Sequence, residues 1–162
     1  MWRPGFAFVE RFPATLYGRR RAFCIYSVHH RGTYERPGLV LGLARGGSVR
    51  GAAFRVADED WPETYAYLRE REQPTETYVE SRVHVHLADR RRLEALTFLS
   101  DIAHPQWAGP LSLERQAELI CGATGLSGRN EDYLNDLVGH LEAEGIRDPA
   151  MIRLQRLVES KT

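Results

Sequence analysis

Glu72 is the residue whose setting in the sequence best suits proton transfer. Trp61, Tyr65, Leu68 and Glu72 recur at i, i+4, i+7 and i+11, one face of a helix. The spacing predicts a carboxyl group on the apolar side of that helix. Asp58-Glu59-Asp60 supplies capping and first-turn acids, Pro62 suits an early helical position, and Pro74 stops the helix two residues after Glu72. Glu72 then falls in the last turn, at the negative end of the helix dipole. Shelter and that dipole both disfavour a charged carboxylate, which is the poise general acid/base chemistry needs. Glu70 falls on another face. The competing reading is a solvated glutamate paired with Arg69 or Arg71, and periodicity does not choose between the two.

Other chemistry-bearing residues form no complete set. His84 and His86 stand i, i+2 on a predicted strand, with His29-His30 elsewhere, and no third ligand for a zinc ion is evident. They read as polar-face histidines, with no metal. Arg19-Arg20-Arg21 and Arg90-Arg91-Arg92 lie at predicted turns and read as solvated charge clusters. Arg45-Gly46-Gly47-Ser48 lacks phosphate-loop spacing and reads as a hairpin turn. Ser27 and His29 lack a nucleophile elbow. The Tyr133, Leu137, Leu141 stripe reads as core.

The elements that must position Glu72 follow from the pattern. Strands are predicted at 5–11, 21–28 and 39–43, with 48–56 as the hairpin partner of the last. The helix containing Glu72 comes next, then strands at 77–87 and 93–99, with Val79, Val83 and Val85 on one parity. The last third is helical. Ser112 caps a helix to about Gly122, Asn130 caps the next, Gly145 closes it, and Asp148-Pro149 starts the last. Strands, a helix, strands and then three helices argue an α+β class, with helices on one side of a mostly antiparallel sheet or small barrel. One domain over 1–162 is expected, without repeats or linkers.

The 22 Lys and Arg balance the 22 Asp and Glu, so net charge gives no reason to expect a nucleic acid partner. Cys24 and Cys121 read as two buried thiols in a reduced compartment. The N-terminus lacks an apolar signal-peptide region, and no run approaches a membrane span, so a soluble cytoplasmic protein without a membrane partner is expected. The oligomeric state is not readable.

Several segments, in order, resemble the ChaC-type γ-glutamylcyclotransferases, which act on glutathione. They are Trp2-Arg3-Pro4-Gly5-Phe6, His30-Arg31-Gly32-Thr33 with Arg36-Pro37-Gly38, Gly51 to Phe54, Tyr67-Leu68 with Arg71-Glu72, His104-Pro105, and Ser127-Gly128 with Asn130, Tyr133 and Leu134. The resemblance covers nearly the whole chain. It implies a small mixed or antiparallel β-barrel flanked by helices, with Glu72 as catalytic acid/base and Tyr78 beside it. Arg31, Ser27 and Trp107 match residues that line the substrate pocket. The implied reaction is cyclisation of the γ-glutamyl group to 5-oxoproline with release of Cys-Gly, needing no metal, nucleotide or other cofactor.

Two departures stand out. Relatives carry Gly where this chain has Glu76. They also carry a strand ending in Tyr-Gly-Ser-Leu before the Trp-Arg-Pro segment, whereas Met1 directly precedes Trp2. The expectation is that Met1 is an internal methionine of a longer protein, which the upstream codons test. Two alternatives stay open: a non-catalytic binding or interaction domain that has lost the substrate loop, and a cyclotransferase acting on another γ-glutamyl amine.

Overall fold

The structure, a computed structural model, describes residues 4–72 and 77–161. Its first two strands, β1 (Glu10–Ser27) and β2 (Gly38–Arg55), are 18 residues each. The sequence predicts four shorter pieces there. The difference lies in glycine: Gly18 (φ 77°) sits inside β1, and Gly46 (φ 88°) and Gly47 (φ 74°) sit inside β2. Left-handed backbone at these positions lets a strand bend and continue, where other residues would force it to end. Gly46-Gly47 is therefore a bend within one strand and not a hairpin turn. Residues 5–8, predicted as strand, precede β1 and carry no regular structure.

The remaining elements are α1 (Trp61–Glu72), β3 (Tyr78–Leu87), β4 (Arg92–Ser100), α2 (Leu113–Ile120), β5 (Thr124–Gly125), β6 (Gly128–Arg129), α3 (Asn130–Ala143) and α4 (Pro149–Glu159). Among the described residues the main sheet has the order β2-β1-β3-β4, and β5-β6 form a two-stranded hairpin. β3 pairs antiparallel with β1 at Ala14↔Leu87 and Thr15↔His86, and with β4 from Tyr78↔Ser100 to His86↔Arg92. Along β3, Val85 and Leu87 are buried and His84 and His86 exposed, the alternation of a one-sided strand. Val79, predicted to share the inner parity, is 48% exposed.

The turn between β3 and β4 encloses three residues, 88–90, between Leu87 and Arg91. The Leu87 N–H donates to Arg91 O (2.9 Å), and Arg90 closes the loop with φ 72°. This is the left-handed position of a three-residue hairpin, which glycine fills without strain. We expect Arg90→Gly to stabilise the protein by about 1 kcal/mol, read as a raised denaturation midpoint. A lowered midpoint would mean that the arginine side chain contributes more than its backbone costs.

By its contacts the chain divides into two compact units: one of residues up to Arg20 plus Leu43–His104, the other of Arg21–Gly42 plus Pro105 onward. The second holds the deepest core. Phe23, Cys24, Leu39, Ile120, Leu134, Leu137, Met151 and Leu154 are all essentially inaccessible. Its helices are well terminated. The Ser112 hydroxyl accepts from Arg115 N (3.2 Å), and Asp148 accepts from Met151 N (3.3 Å) with Pro149 at the helix start. Gly145 (φ 65°) ends α3 with Gly145 N→Glu142 O and Ile146 N→Leu141 O bonds, a Schellman closure. Arg21 departs from the solvated cluster expected of it: its side chain is 11% exposed and pairs with Asp148 at 3.4 Å. Residue 21 lies inside β1, and burial there requires a counter-charge. In the first unit the buried apolar residues are Ala44, Leu68, Val85, Leu87 and Phe98.

Candidate active site

Within the first unit, α1 buries Thr64 and Leu68. Their spacing of four continues to Glu72, the last helical residue, whose side chain is 20% exposed. Glu63 and Glu70 on the same helix are exposed. The sheltered face thus runs through Thr64, Leu68 and Glu72. Trp61, predicted to share it, is 38% exposed and lies against the Tyr65 ring (centroids 5.6 Å apart). Side chains on a helix lean toward its N-terminus, so the first residue projects past the helix end and is not backed by a preceding turn.

Through Arg71, Glu72 joins a wider network of contacts. Arg71 Nε stands 3.5 Å from Glu72 Oε1, and Arg71 Nη1 donates to the Tyr67 hydroxyl (3.1 Å) and to Pro4 O (3.2 Å). Gly5 has φ 69°, and a Cβ there would collide with the Tyr67 hydroxyl. Phe6 packs edge-on against Phe54 (5.7 Å) and Tyr67 (6.5 Å). Three segments of the resemblance, at 4–6, 51–54 and 67–72, therefore meet in one place. Tyr78, the first residue of β3, is half-buried and stands opposite Ser100. Pro74 and Glu76 lie outside the described residues.

The second unit gathers the other motif segments. The Ser27 hydroxyl, 6% exposed, accepts the Arg31 N–H at 2.9 Å. Arg31 Nη1 donates to Arg129 O (3.1 Å), and its guanidinium lies 5.1 Å from the Tyr133 ring centroid. Trp107 is half-buried, and its backbone bridges to Ile25, two residues before Ser27. The β5–β6 hairpin docks on residues 29–30 through Leu126 N→His29 O and Ser127 N→His30 O, and His30 Nδ1 lies 2.9 Å from Ser127 Oγ.

Asn130 does not cap α3 as the sequence predicts. Arg129 occupies the cap position, and the Asn130 side chain accepts from Leu39 N (2.6 Å) and donates to Leu39 O (2.8 Å). A buried backbone needs both partners, and this outweighs a cap that water can replace.

Glu131 was missed by the sequence reading. It is 6% exposed and accepts from Gly122 N at 2.6 Å. Its one visible signal was an acid in the first turn of a helix. Burial pushes its carboxyl up, but the N–H groups of Gly122 and Glu131 and the Arg129 guanidinium outweigh this and hold it below the usual carboxylate range. A depressed folded-state value stabilises the fold above the usual range, and that stability is lost as pH falls through it. We expect Glu131→Gln to cost about 1–2 kcal/mol at neutral pH. Thermal melts of the parent and the variant should converge toward pH 3, and parallel curves would contradict this role.

Among the described residues, no group of three His, Cys, Asp or Glu is placed to hold a metal ion. His84 and His86 are exposed, and His86 lies edge-on to Tyr17 at 5.0 Å. No helix among them is long and apolar enough to cross a membrane.

A family model described as ChaC-like protein matches residues 1–161. The glutathione-specific γ-glutamylcyclotransferase of Escherichia coli is 34% identical over 93% of this chain, and human glutathione-specific γ-glutamylcyclotransferase 1 is 30% identical over 90%. The chain spans 65% of the length of the first and 67% of the second. A crystal structure of a yeast γ-glutamyl cyclotransferase specific to glutathione superimposes with a TM-score of 0.85 at 23% identity, covering 97% of this chain and 90% of the other. That likeness establishes the α+β γ-glutamylcyclotransferase fold that the resemblance implies. The motif segments and the matched family agree, and the chain belongs to the ChaC-like family.

Proposed function

We propose that this protein is a γ-glutamylcyclotransferase that converts glutathione to 5-oxoproline and Cys-Gly, with Glu72 as its acid/base. The observation that carries the reading is the placement of Glu72. It is the sheltered carboxylate of α1, in line with Thr64 and Leu68, within a network formed by three motif segments. The names of the similar proteins supply the substrate.

The chemistry needs few groups. Glu72 takes a proton from the substrate's α-ammonium, and the freed amine attacks the γ-amide carbonyl of the same residue. The tetrahedral oxyanion then collapses. Glu72 returns the proton to the departing amide nitrogen, the ring nitrogen releases its remaining extra proton to solvent, the C–N bond breaks, and Cys-Gly leaves. Nucleophile and electrophile are already tethered, so most of the entropy of bringing them together is absent. One carboxyl serves both proton transfers because it is restored within each cycle.

Tyr78, Arg31 and Trp107 are proposed to bind substrate on the strength of the resemblance. Ser27 would act through Arg31, whose backbone it holds. The cytoplasm, where thiols are kept reduced by glutathione, is the fitting compartment.

The test is 5-oxoproline release from glutathione by the purified protein, with a γ-glutamyl amine as competitor. Release with weak competition supports the glutathione reading. Preferential turnover of the amine moves the substrate to another γ-glutamyl compound. A folded protein that turns over neither is a binding domain.

A further inference from the structure

We infer that Arg71 is a positioning residue for the Glu72 carboxylate, and that Tyr67 and Gly5 hold Arg71 in place. This rests on the reading of Glu72 as the acid/base.

Consecutive side chains on a helix diverge and do not normally face each other. Arg71 nevertheless brings its Nε to 3.5 Å from Glu72 Oε1. Its Nη1 is held on the other side by the Tyr67 hydroxyl and Pro4 O. One planar guanidinium thus donates to two oxygens through Nη1 while its Nε faces a third at ion-pair distance, an arrangement that suits a fork of donors better than a point charge. The Arg71 guanidinium carbon also lies 6.0 Å from the Tyr67 ring centroid.

The support continues outward. Tyr67 is braced by the Phe6 ring, and its hydroxyl occupies space that any Cβ at residue 5 would take. The left-handed backbone of Gly5 gives a second reason for glycine there. Gly5, Tyr67, Arg71 and Glu72 form one chain of contacts within the first unit.

Glu72 needs such a brace. It ends its helix, where the backbone is least constrained, and its side chain has three torsions of its own. Proton transfer between two substrate nitrogens tolerates little misplacement. The Arg71 charge attracts one carboxylate oxygen and so biases the direction in which the carboxyl meets substrate.

The test is steady-state kinetics on Arg71→Met, Arg71→Lys and Tyr67→Phe, at concentrations matched for folded protein by circular dichroism. Arg71→Met is expected to lower kcat roughly 10- to 100-fold with KM changed about threefold or less. Millimolar methylguanidinium should restore kcat at least about fivefold, because it refills the missing fork. Arg71→Lys should remain impaired, since it restores charge without the fork. Tyr67→Phe should add little to Arg71→Met in the double variant, as members of one contact chain are not additive.

An Arg71→Met kcat within twofold of the parent overturns the inference, as does an activity loss that methylguanidinium fails to restore. Glu72→Gln separates the two levels. If it abolishes turnover while Arg71→Met does not, only the positioning role fails. If Glu72→Gln is fully active, the functional reading fails first.

Discussion

Asn130→Ala is expected to destabilise the protein by about 3–6 kcal/mol. The Asn130 side chain is fully buried and provides the partners of both backbone groups of Leu39, at 2.6 and 2.8 Å. Leu39 is itself inaccessible, so water cannot take over. Each orphaned group costs about 1–3 kcal/mol, and the vacated volume adds to that. Such a loss is a large share of the stability of an ordinary domain, about 5–15 kcal/mol. Asn130→Asp gives an informative comparison. It keeps an acceptor for the Leu39 N–H but presents an oxygen to Leu39 O. We expect it to be nearly as damaging at neutral pH and to recover partly in acid, where a protonated carboxyl can donate. Denaturant titration of the three proteins checks both statements. A loss below about 1 kcal/mol for Asn130→Ala would show that α3 does not depend on this clamp.

Glu72→Gln is expected to lower kcat for glutathione about 100- to 10,000-fold, with little change in KM. Glutamine keeps the shape of the side chain and one acceptor oxygen but cannot accept and return a proton. The effect belongs to the chemical step, so it should appear in kcat. Glu70→Gln on the same helix is exposed and should retain parental activity. Equal losses in the two variants would point to a general charge effect of α1 and away from a single proton carrier.

Much of the second unit was legible in the sequence, because its signals are local. Ser112, Asp148-Pro149 and Gly145 mark helix ends through side chains or backbone angles that act within a few residues, and all three are used as read. Glycines gave more ambiguous signals. Gly46-Gly47 fits a turn and a bent strand equally well, and only the pairing of the sheet decides in favour of the bend.

Long-range partners were not legible at all. Asn130 carries the local signature of a cap, yet its partner is Leu39, 91 residues away. Arg21 sits in a run of three arginines that looks solvated, but Asp148, 127 residues on, allows its burial. For the site, helical spacing located Glu72 on the sheltered side but misjudged the face, since Thr64 replaces Trp61 in the buried row. Arg71 was visible as an ion-pair candidate. Its ties to Tyr67 and Pro4 depend on how residues 4–6 return to α1, which no periodicity encodes.

The most direct measurement is product analysis after turnover of glutathione in water enriched in oxygen-18. Cyclisation uses only substrate atoms, so we expect 5-oxoproline and Cys-Gly in equal amounts, the 5-oxoproline free of the label, and neither product above background with Glu72→Gln. Labelled glutamate from the parent protein, or undiminished 5-oxoproline from Glu72→Gln, would contradict a cyclisation driven by this carboxyl.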